Sequence, residues 1–257
     1  MIHFPGQDKL RAHLPDLESP LLRLLLALIG LASFAIATII MIAVDHFFPM
    51  WTLLGQMGVL ILAFLLESQF FRQKIRLKTR LGNMAYRYAF RAYILLSVAV
   101  ILAVILHTAY LPGDRAVTGP YAKVISVIVV YLLLTGVIIL ARAVLTFGAD
   151  NLALLYVYFP EEGRLVDSSI YALIRHPAYS AVLRIGVAIG LWHGTWFSIA
   201  FALFMPVGMT IWLKLVEEPE LIERFGEGYA DYRRKVPAFV PRLRDLGKFW
   251  RFLVCGK

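Results

Sequence analysis

The chain has 257 residues, of which 60% are hydrophobic and 17% are charged. About a quarter of the residues of a soluble domain are charged, so this composition excludes an ordinary soluble protein and indicates one embedded in a membrane. The single cysteine excludes an intrachain disulfide, and a formal charge of +9 is typical of lysine and arginine placed beside anionic lipid.

Six apolar stretches are candidates for membrane helices, which need about 20 mostly apolar residues each. The fifth stretch is short, and WHGTW alone separates it from the sixth, so these two form a tight hairpin. We therefore predict an all-α integral membrane protein with about six transmembrane helices. In chain order the candidates are Leu21–Val44, Trp51–Leu66 with an extension to Phe71 allowed, Ala92–Leu111, Val124–Leu145, Pro177–His193 and Thr195–Leu213.

These stretches divide the chain into three regions. Residues 1–20 form an N-terminal segment with three acidic residues and no convincing cleavage site after it, so we expect no cleaved signal peptide. Residues 21–147 form a four-helix membrane region. Residues 148–257 hold the fifth and sixth helices and a C-terminal helix on the cytoplasmic side.

The distribution of lysine and arginine predicts the orientation. If the N-terminus is cytoplasmic and all six helices cross the membrane, 22 of the 26 basic residues lie on the cytoplasmic side, and Arg115 and Lys123 lie opposite. The positive-inside rule favours this arrangement. We expect both termini in the cytoplasm and a bacterial inner membrane. The basic run at 72–91, which contains no acidic residue, is then expected to lie beside the lipid bilayer and not to bind nucleic acid. The oligomeric state stays open.

This topology brings two polar passages to the same side. YALIRHPAYS, at 171–180, precedes the hairpin. Pro177 suits the first turn of a helix, which places His176 near the N-cap and Arg175 just outside. Free N–H groups beside an arginine attract a carboxylate or phosphate, and Tyr179 would line the same pocket. Arg184 lies deeper and needs a buried partner or a cavity.

The second passage, LVEEPELIERFGEGYADYRRKVP at 215–237, follows the hairpin. Glu217 and Glu218 are adjacent and point about 100° apart around a helix, so one of them can face the bundle. The aromatic residues after them recur at helical spacing, which suits either a pocket wall or plain packing. Gly226 and Gly228 weaken this helix. The cations of YRRKVP would bind either a phosphate or lipid head groups.

Together the two passages resemble a known pattern. It reads RHPxYxG, an apolar hairpin, and then EExxLxxxFGxxYxxYxxxVP, in the superfamily of isoprenylcysteine carboxyl methyltransferases and phospholipid N-methyltransferases. Residues 163–243 carry the resemblance. Ala181 and Ser169 stand where the family has glycine, and Ala238 stands where an arginine often follows Val-Pro. The first change is expected to crowd the donor slightly, and the last puts one contact of the family in question.

The resemblance implies S-adenosylmethionine as methyl donor and a lipid-like or small apolar acceptor that enters from the bilayer. Carried over by position, the donor-binding residues are Arg175, His176, Pro177, Tyr179, Glu217, Glu218, Tyr229, Tyr232 and Arg233. Transfer to an ammonium would need a base, for which Glu218 and His176 are the candidates, whereas a carboxylate or thiolate would need none. No metal is required.

Two other functions stay open at this point. Membrane sterol reductases have a related helical architecture and use NADPH, although the short chain and the intact Glu pair argue against them. A non-enzymatic membrane protein that retains the fold is the other alternative. The residues do not distinguish a carboxyl, an amine or a thiol as the acceptor group.

Overall fold

The computed structural model describes residues 5–255, which fold as α-helices joined by short turns. Within those residues the single β-type pairing is an isolated bridge between Arg115 and Thr195, so the predicted all-α fold is confirmed. The helices are α1 Gln7–His13, α2 Pro20–Phe47, α3 Thr52–Arg72, α4 Lys74–Leu81, α5 Ala85–Ala89, α6 Leu95–His107, α7 Tyr121–Phe147, α8 Ala149–Leu152, α9 Leu155–Tyr158, α10 Pro177–His193, α11 Trp196–Trp212, α12 Glu218–Phe225, α13 Glu227–Lys235 and α14 Leu246–Cys255.

Five helical segments in the described part of the chain are long and apolar enough to cross a membrane. The predicted fifth helix forms as α10 with the predicted bounds. Its 17 residues extend for about 26 Å, slightly less than the hydrocarbon core of a bilayer. An integral membrane protein is thus confirmed, and the count of six spans stays a prediction. The five segments are Pro20–Phe47, Pro49–Arg72, Lys74–Tyr110, Tyr121–Phe147 and Trp196–Phe225.

Several helices extend beyond their apolar stretches. The third predicted helix was placed from Ala92, but the helical segment begins at Lys74 and includes most of the basic run. A π-helical turn, Phe90–Ile94, joins α5 to α6. The predicted stretch thus lies almost entirely within a longer helical segment, because hydropathy marks only the part of a helix that lies in lipid.

The segments predicted to share the cytoplasmic side meet at one end of the helix bundle. Lys74 Nζ lies 3.9 Å from Glu223 Oε1, which joins the basic run to α12. His13 Nε2 lies 2.9 Å from Glu162 Oε1, which joins the N-terminal segment to the 3₁₀ turn Pro160–Glu162 after α9. We call this the basic end of the bundle. Its orientation toward the cytoplasm stays a prediction.

The connections predicted on the other side of the membrane also meet each other. His107 Nε2 at the end of α6 lies 2.8 Å from Asp45 Oδ2 at the end of α2. The backbone N–H of Trp196, at the start of α11, donates to the carbonyl of Asp114. The two ends of the bundle therefore hold the two sets of loops that the alternating topology requires.

The passage after the hairpin forms two helices instead of the one that was predicted. A π-helical turn, Leu213–Glu217, carries α11 directly into α12. Gly226 then adopts φ 57° and separates α12 from α13. A residue with a Cβ atom rarely adopts this conformation, so the glycine allows the reversal. Both helices contribute to one cluster, in which Phe225 packs with Tyr229 and Tyr232.

A last helix, α14, was not predicted. It buries Phe249, Phe252 and Leu253 against Ile139 of α7 and the 3₁₀ turn Ser169–Ala172. The guanidinium of Arg142 lies over the ring of Phe252. The helix thereby fixes the loop that leads into α10.

Candidate functional site

A cavity of about 1080 Å³, its open mouth included, lies at the basic end of the bundle. One wall comes from α3 and from the junction of the π-helical turn with α6. A second wall comes from residues 147–166, and the third comes from residues 171–179 and 217–232, which are the two passages of the sequence pattern.

Arg175 and Glu218 form the central ion pair of this region. The Arg175 Nη2 atom lies 2.7 Å from Glu218 Oε1, and the same guanidinium donates from Nη1 to the carbonyl of Val236. Glu218 also pairs with Arg233, whose Nε lies 3.3 Å from Oε2. Since Glu218 is 1% exposed, these cations are what make its burial tolerable.

His176 lies between both acids of the Glu pair. Its Nδ1 atom is 3.7 Å from Glu217 Oε1, and its Nε2 atom is 3.5 Å from Glu218 Oε1. The hydroxyl of Tyr229 is 3.4 Å from the same Nε2 atom. The ring of Tyr179 stacks on the imidazole at a centroid distance of 5.8 Å. The two passages therefore meet on this one side chain.

The segment after α13 holds the start of α10 in place. The backbone N–H groups of Arg175 and His176 donate to the carbonyls of Pro237 and Ala238. The hydroxyl of Ser180 donates to the carbonyl of Phe239 at 2.6 Å. His176 is the N-cap, as predicted. The backbone N–H of His176 is not free for an anion, because the returning chain already accepts its hydrogen bond; an anion site at the remaining N–H groups of the first turn stays a prediction.

Seven of the nine residues proposed as donor ligands line the cavity. Glu218 and Arg233 are the exceptions: they do not line the cavity, and Glu218 pairs with both Arg233 and Arg175. The seven are Arg175, His176, Pro177, Tyr179, Glu217, Tyr229 and Tyr232. Their roles in binding stay a proposal.

The tyrosines of the C-terminal passage are neutral hydrogen-bonding groups. Burial, reinforced by the charges of Glu218 and Glu217, raises the pKa of Tyr229. Burial also raises the pKa of Tyr232, whose hydroxyl donates to the carbonyl of Tyr171 at 2.7 Å. Each phenol keeps its proton at neutral pH and holds α13 against the passage before α10.

Several polar atoms around the cavity have no partner among residues 5–255. Glu217 Oε2 and Arg224 Nε are buried and make no hydrogen bond. Arg164 is exposed at the mouth and forms no ion pair in that part of the chain. A buried polar atom without a partner costs free energy, so these atoms fit a ligand that carries charges of both signs.

The polar residues Glu67, Arg164, Glu220 and Arg224 line the cavity and were missed from the sequence. The last two stand inside the second passage at helical spacing from Glu217, which was a usable signal. Glu67 was read as part of an apolar membrane helix. The sequence around Glu67 gives no sign that this residue lies near the second passage, which follows 150 positions later. Only the packing of α3 in the structure shows that they share a cavity.

The departures from the family pattern have different outcomes. Ser169 adopts φ 59°, a conformation that glycine tolerates and most residues avoid, which accounts for the family glycine there. Ala181 was expected to crowd the donor, but it packs with Ile139 and Phe249 in a separate apolar cluster. For Ala238 the structure shows a backbone contact to His176.

Arg184 has the kind of environment that its depth requires. Its Nε lies 3.4 Å from the hydroxyl of Ser180, and Nη1 lies 3.5 Å from that of Thr135. The guanidinium also lies over the ring of Phe249, 5.9 Å from its centroid. A hydroxyl of α10 itself, a hydroxyl of α7 and an aromatic face of α14 therefore replace the acidic partner.

Comparison with known proteins gives a consistent result. The family model described as phospholipid methyltransferase matches residues 124–228, so the match begins within α7 and includes both arms of the hairpin. Protein-S-isoprenylcysteine O-methyltransferase B of Arabidopsis thaliana is 29% identical over 117 residues. Methanethiol S-methyltransferase 2 of Bradyrhizobium diazoefficiens is 38% identical over 77 residues.

These alignments are partial on both sides. They include 43% and 29% of this chain, and the chain spans 56% and 27% of the two relatives. No solved structure matches the chain. The resemblance seen in the sequence is nevertheless confirmed by independent comparisons: residues 124–228 match the phospholipid methyltransferase family model, and the two relatives are an isoprenylcysteine and a methanethiol methyltransferase, which is consistent with the integral membrane methyltransferase family.

Proposed function

We propose that the protein is a membrane-embedded methyltransferase that takes its methyl group from S-adenosylmethionine and transfers it to a lipid-like or small apolar acceptor. The observation that carries the proposal is the meeting of the two passages on His176. Glu217 and Glu218 approach this imidazole from one passage, and it belongs to the other. The named relatives are methyltransferases, which favours methyl transfer over reduction with NADPH.

The residues present fit the charges of the donor. Glu217 Oε2 is buried without a partner and would accept hydrogen bonds from the donor ammonium. Arg164 is the cation best suited to the donor carboxylate, because it forms no ion pair among residues 5–255, whereas Glu218 neutralises Arg175 and Glu220 pairs with Arg224. The rings of Tyr179 and Phe225 would provide apolar faces for adenine.

When bound, S-adenosylmethionine supplies an already activated methyl group on a sulfonium, so the protein's main task is to position a nucleophile in line with it. His176 is held between the two glutamates and Tyr229, which fixes the imidazole plane at the cavity wall. Arg175 and Glu218 act on donor binding by positioning this side chain. Glu217 is the residue of the pair proposed to contact the donor.

Isothermal titration of the purified protein in lipid nanodiscs, with S-adenosylmethionine and with its demethylated product, tests the donor site. Glu217→Gln should weaken binding of both compounds at least about tenfold, since an ion pair in a partly dry site is lost. Glu223→Gln is the matched control, because Glu223 is exposed on α12 and should leave binding unchanged. No heat with either compound at millimolar concentration would contradict the proposal.

The acceptor class is tested by comparing the lipids of cells with and without the gene by mass spectrometry. A product should accumulate that is heavier than its precursor by one methylene group. Identical lipid profiles, together with normal donor binding in vitro, would point instead to a small volatile acceptor.

A further inference from the structure

The C-terminal helix α14 has three different sides. One side is buried against α7 and the turn before α10, an apolar side next to it is exposed, and a basic side fills the remaining arc. We call the second side the apolar flank and the third the basic flank. Residues three or four apart lie on one side of a helix, so each flank is a continuous stripe. In the same order, the three sides consist of Phe249, Phe252 and Leu253; Leu246, Trp250 and Val254; and Lys248 and Arg251.

Contacts with α7 show the direction of each flank. The ring of Trp250 contacts that of Tyr131 at a centroid distance of 5.8 Å, and the guanidinium of Arg142 lies 5.6 Å from the centroid of Phe252. Phe252 stands one helical turn after Lys248, so Arg142 lies toward the basic flank. Tyr131 is farther than Arg142 from the basic end of the bundle, by roughly 16 Å along the axis of α7. The apolar flank therefore faces the middle of the membrane, and the basic flank faces the water at the basic end.

The apolar flank is uncovered among residues 5–255. Trp250 is 44% exposed, and Val254 is 78% exposed. A helix with lysine and arginine on one side and a tryptophan on its apolar side is typical of helices that lie in the membrane plane, at the level of the lipid head groups. Because the two flanks of α14 point toward lipid and toward water in that order, acyl chains are the surface that the apolar flank meets.

The cations around the basic flank exceed the acids. Arg142 is partly buried about five residues from the end of α7, and in the described part of the chain it forms no hydrogen bond and no ion pair. Arg251 is exposed, and residues 5–255 offer it no ion pair either. The acid between positions 243 and 255 is Asp245, which lies 3.9 Å from Lys248 Nζ and 3.7 Å from Arg244 Nε. A cation at this depth is costly without an anion, and the phosphate of a lipid lies at the same level.

We propose that α14 is an in-plane membrane helix and that Arg142, Lys248 and Arg251 bind the phosphate of an anionic phospholipid, whose acyl chain lies along the apolar flank. The surface is separate from the cavity, since none of the three cations lines it. It also lies outside the matched family segment in the case of α14, because that segment ends at residue 228. The inference goes beyond the proposed function and does not depend on it.

Native mass spectrometry of the full-length protein tests the lipid preference, with phosphatidylglycerol and phosphatidylcholine of identical acyl chains as probes. The wild-type protein should bind phosphatidylglycerol at least about tenfold more tightly, since each cation near the head groups contributes about fivefold. Arg251→Gln and Arg142→Gln should each lower that affinity about fivefold and leave binding of phosphatidylcholine unchanged. Arg142→Lys keeps the charge and should stay within about twofold of the wild type.

The control is Arg115→Gln, which removes one positive charge from an exposed loop at the other end of the bundle. Equal binding of the two lipids by the wild-type protein would overturn the proposal. So would an effect of Arg115→Gln as large as that of Arg251→Gln, because the preference would then follow net charge. Release of the bound lipid by millimolar inorganic phosphate would show a site for free phosphate and overturn the assignment to a lipid.

The position of α14 is tested separately with spin labels in nanodiscs that contain phosphatidylglycerol. Cys255 is the single cysteine of the chain, is exposed, and stands two turns after Lys248 on the basic side. A label on Cys255 should be relaxed mainly by a water-soluble nickel complex. A label on Val254→Cys, made together with Cys255→Ser, should be relaxed mainly by oxygen, which concentrates in lipid. The same response at both positions, or the reverse order, would contradict the in-plane helix.

Discussion

The guanidinium of Arg175 lies 2.7 Å from the carboxylate of Glu218, although the membrane hairpin of α10 and α11 separates them by 43 positions in sequence. Both groups are almost fully buried. Each group can therefore stay charged in the interior because the other neutralises it. Arg175 also donates to the carbonyl of Val236, and Glu218 also lies beside His176, so the pair fixes both neighbours in position. The ion pair closes the hairpin at its basic end.

Arg175→Ala should weaken donor binding at least about tenfold, because Glu218 then loses its main partner and His176 its fixed position. Titration with S-adenosylmethionine measures the change. Arg80→Ala serves as the control, since Arg80 is exposed on α4. Equal effects of the two substitutions would remove the start of α10 from the proposed donor site.

Ser169→Gly should raise the free energy of unfolding by about 1 kcal/mol, because glycine adopts the φ of 59° without the penalty that a Cβ atom carries. The gain is reduced by the loss of the contact between the hydroxyls of Ser169 and Thr146, at 3.3 Å. Ser169→Ala keeps the unfavourable φ and loses that contact, so it should be less stable than the wild type. Chemical denaturation in mild detergent measures the free energy of unfolding of the three proteins. A glycine variant that is less stable than the alanine variant would show that the backbone at residue 169 is not strained.

Gly190→Ala should destabilise the hairpin by about 1–3 kcal/mol. A Cβ atom there would lie 2.7 Å from Ala202 Cβ and 2.7 Å from the carbonyl oxygen of Ser198, and the latter is backbone that does not yield easily. Gly58→Ala on α3 is the matched control, since a Cβ at Gly58 meets nothing within 4 Å. Thermal unfolding that shows the two alanine variants equally stable would contradict the close approach of α10 and α11.

Asp16→Asn should cost roughly 2–3 kcal/mol at neutral pH, because Asp16 is fully buried and accepts from Arg87 at 2.8 Å and from Arg91. Burial opposes the charge, but the hydrogen bonds from the two arginines outweigh it and hold the pKa of Asp16 below its ordinary value of 3.8.

A lowered pKa gives the sign of the pH dependence. The stabilisation by Asp16 is complete above its ordinary pKa and is lost as the pH falls through the lower folded value. The difference in melting temperature between wild type and Asp16→Asn should therefore shrink in strong acid. Glu18→Gln, an exposed neighbour, should show no such difference, and a gap that widens on acidification would contradict the ion pair.

Much of the helical architecture follows from the sequence alone. A run of apolar residues predicts a membrane helix because lipid satisfies no backbone group, and Pro177 and Gly194 mark the two ends of α10. Arg175 and Glu217 were predicted to lie on the same side of the membrane because two helices, the arms of one hairpin, separate them. These inferences use neighbours along the chain and alternation across a bilayer, which are properties that a sequence carries.

The packing of distant segments decided the rest. Glu67 enters the cavity because α3 packs beside the hairpin, and Pro237 occupies the N–H of Arg175 because the chain returns across α10. The cations that pair with Glu218 come from two different segments, since Arg175 precedes α10 and Arg233 lies on α13. Such contacts join residues tens of positions apart, so no periodicity within one helix encodes them. Only the assembled bundle determines which charged groups pair with each other and which remain available to a ligand.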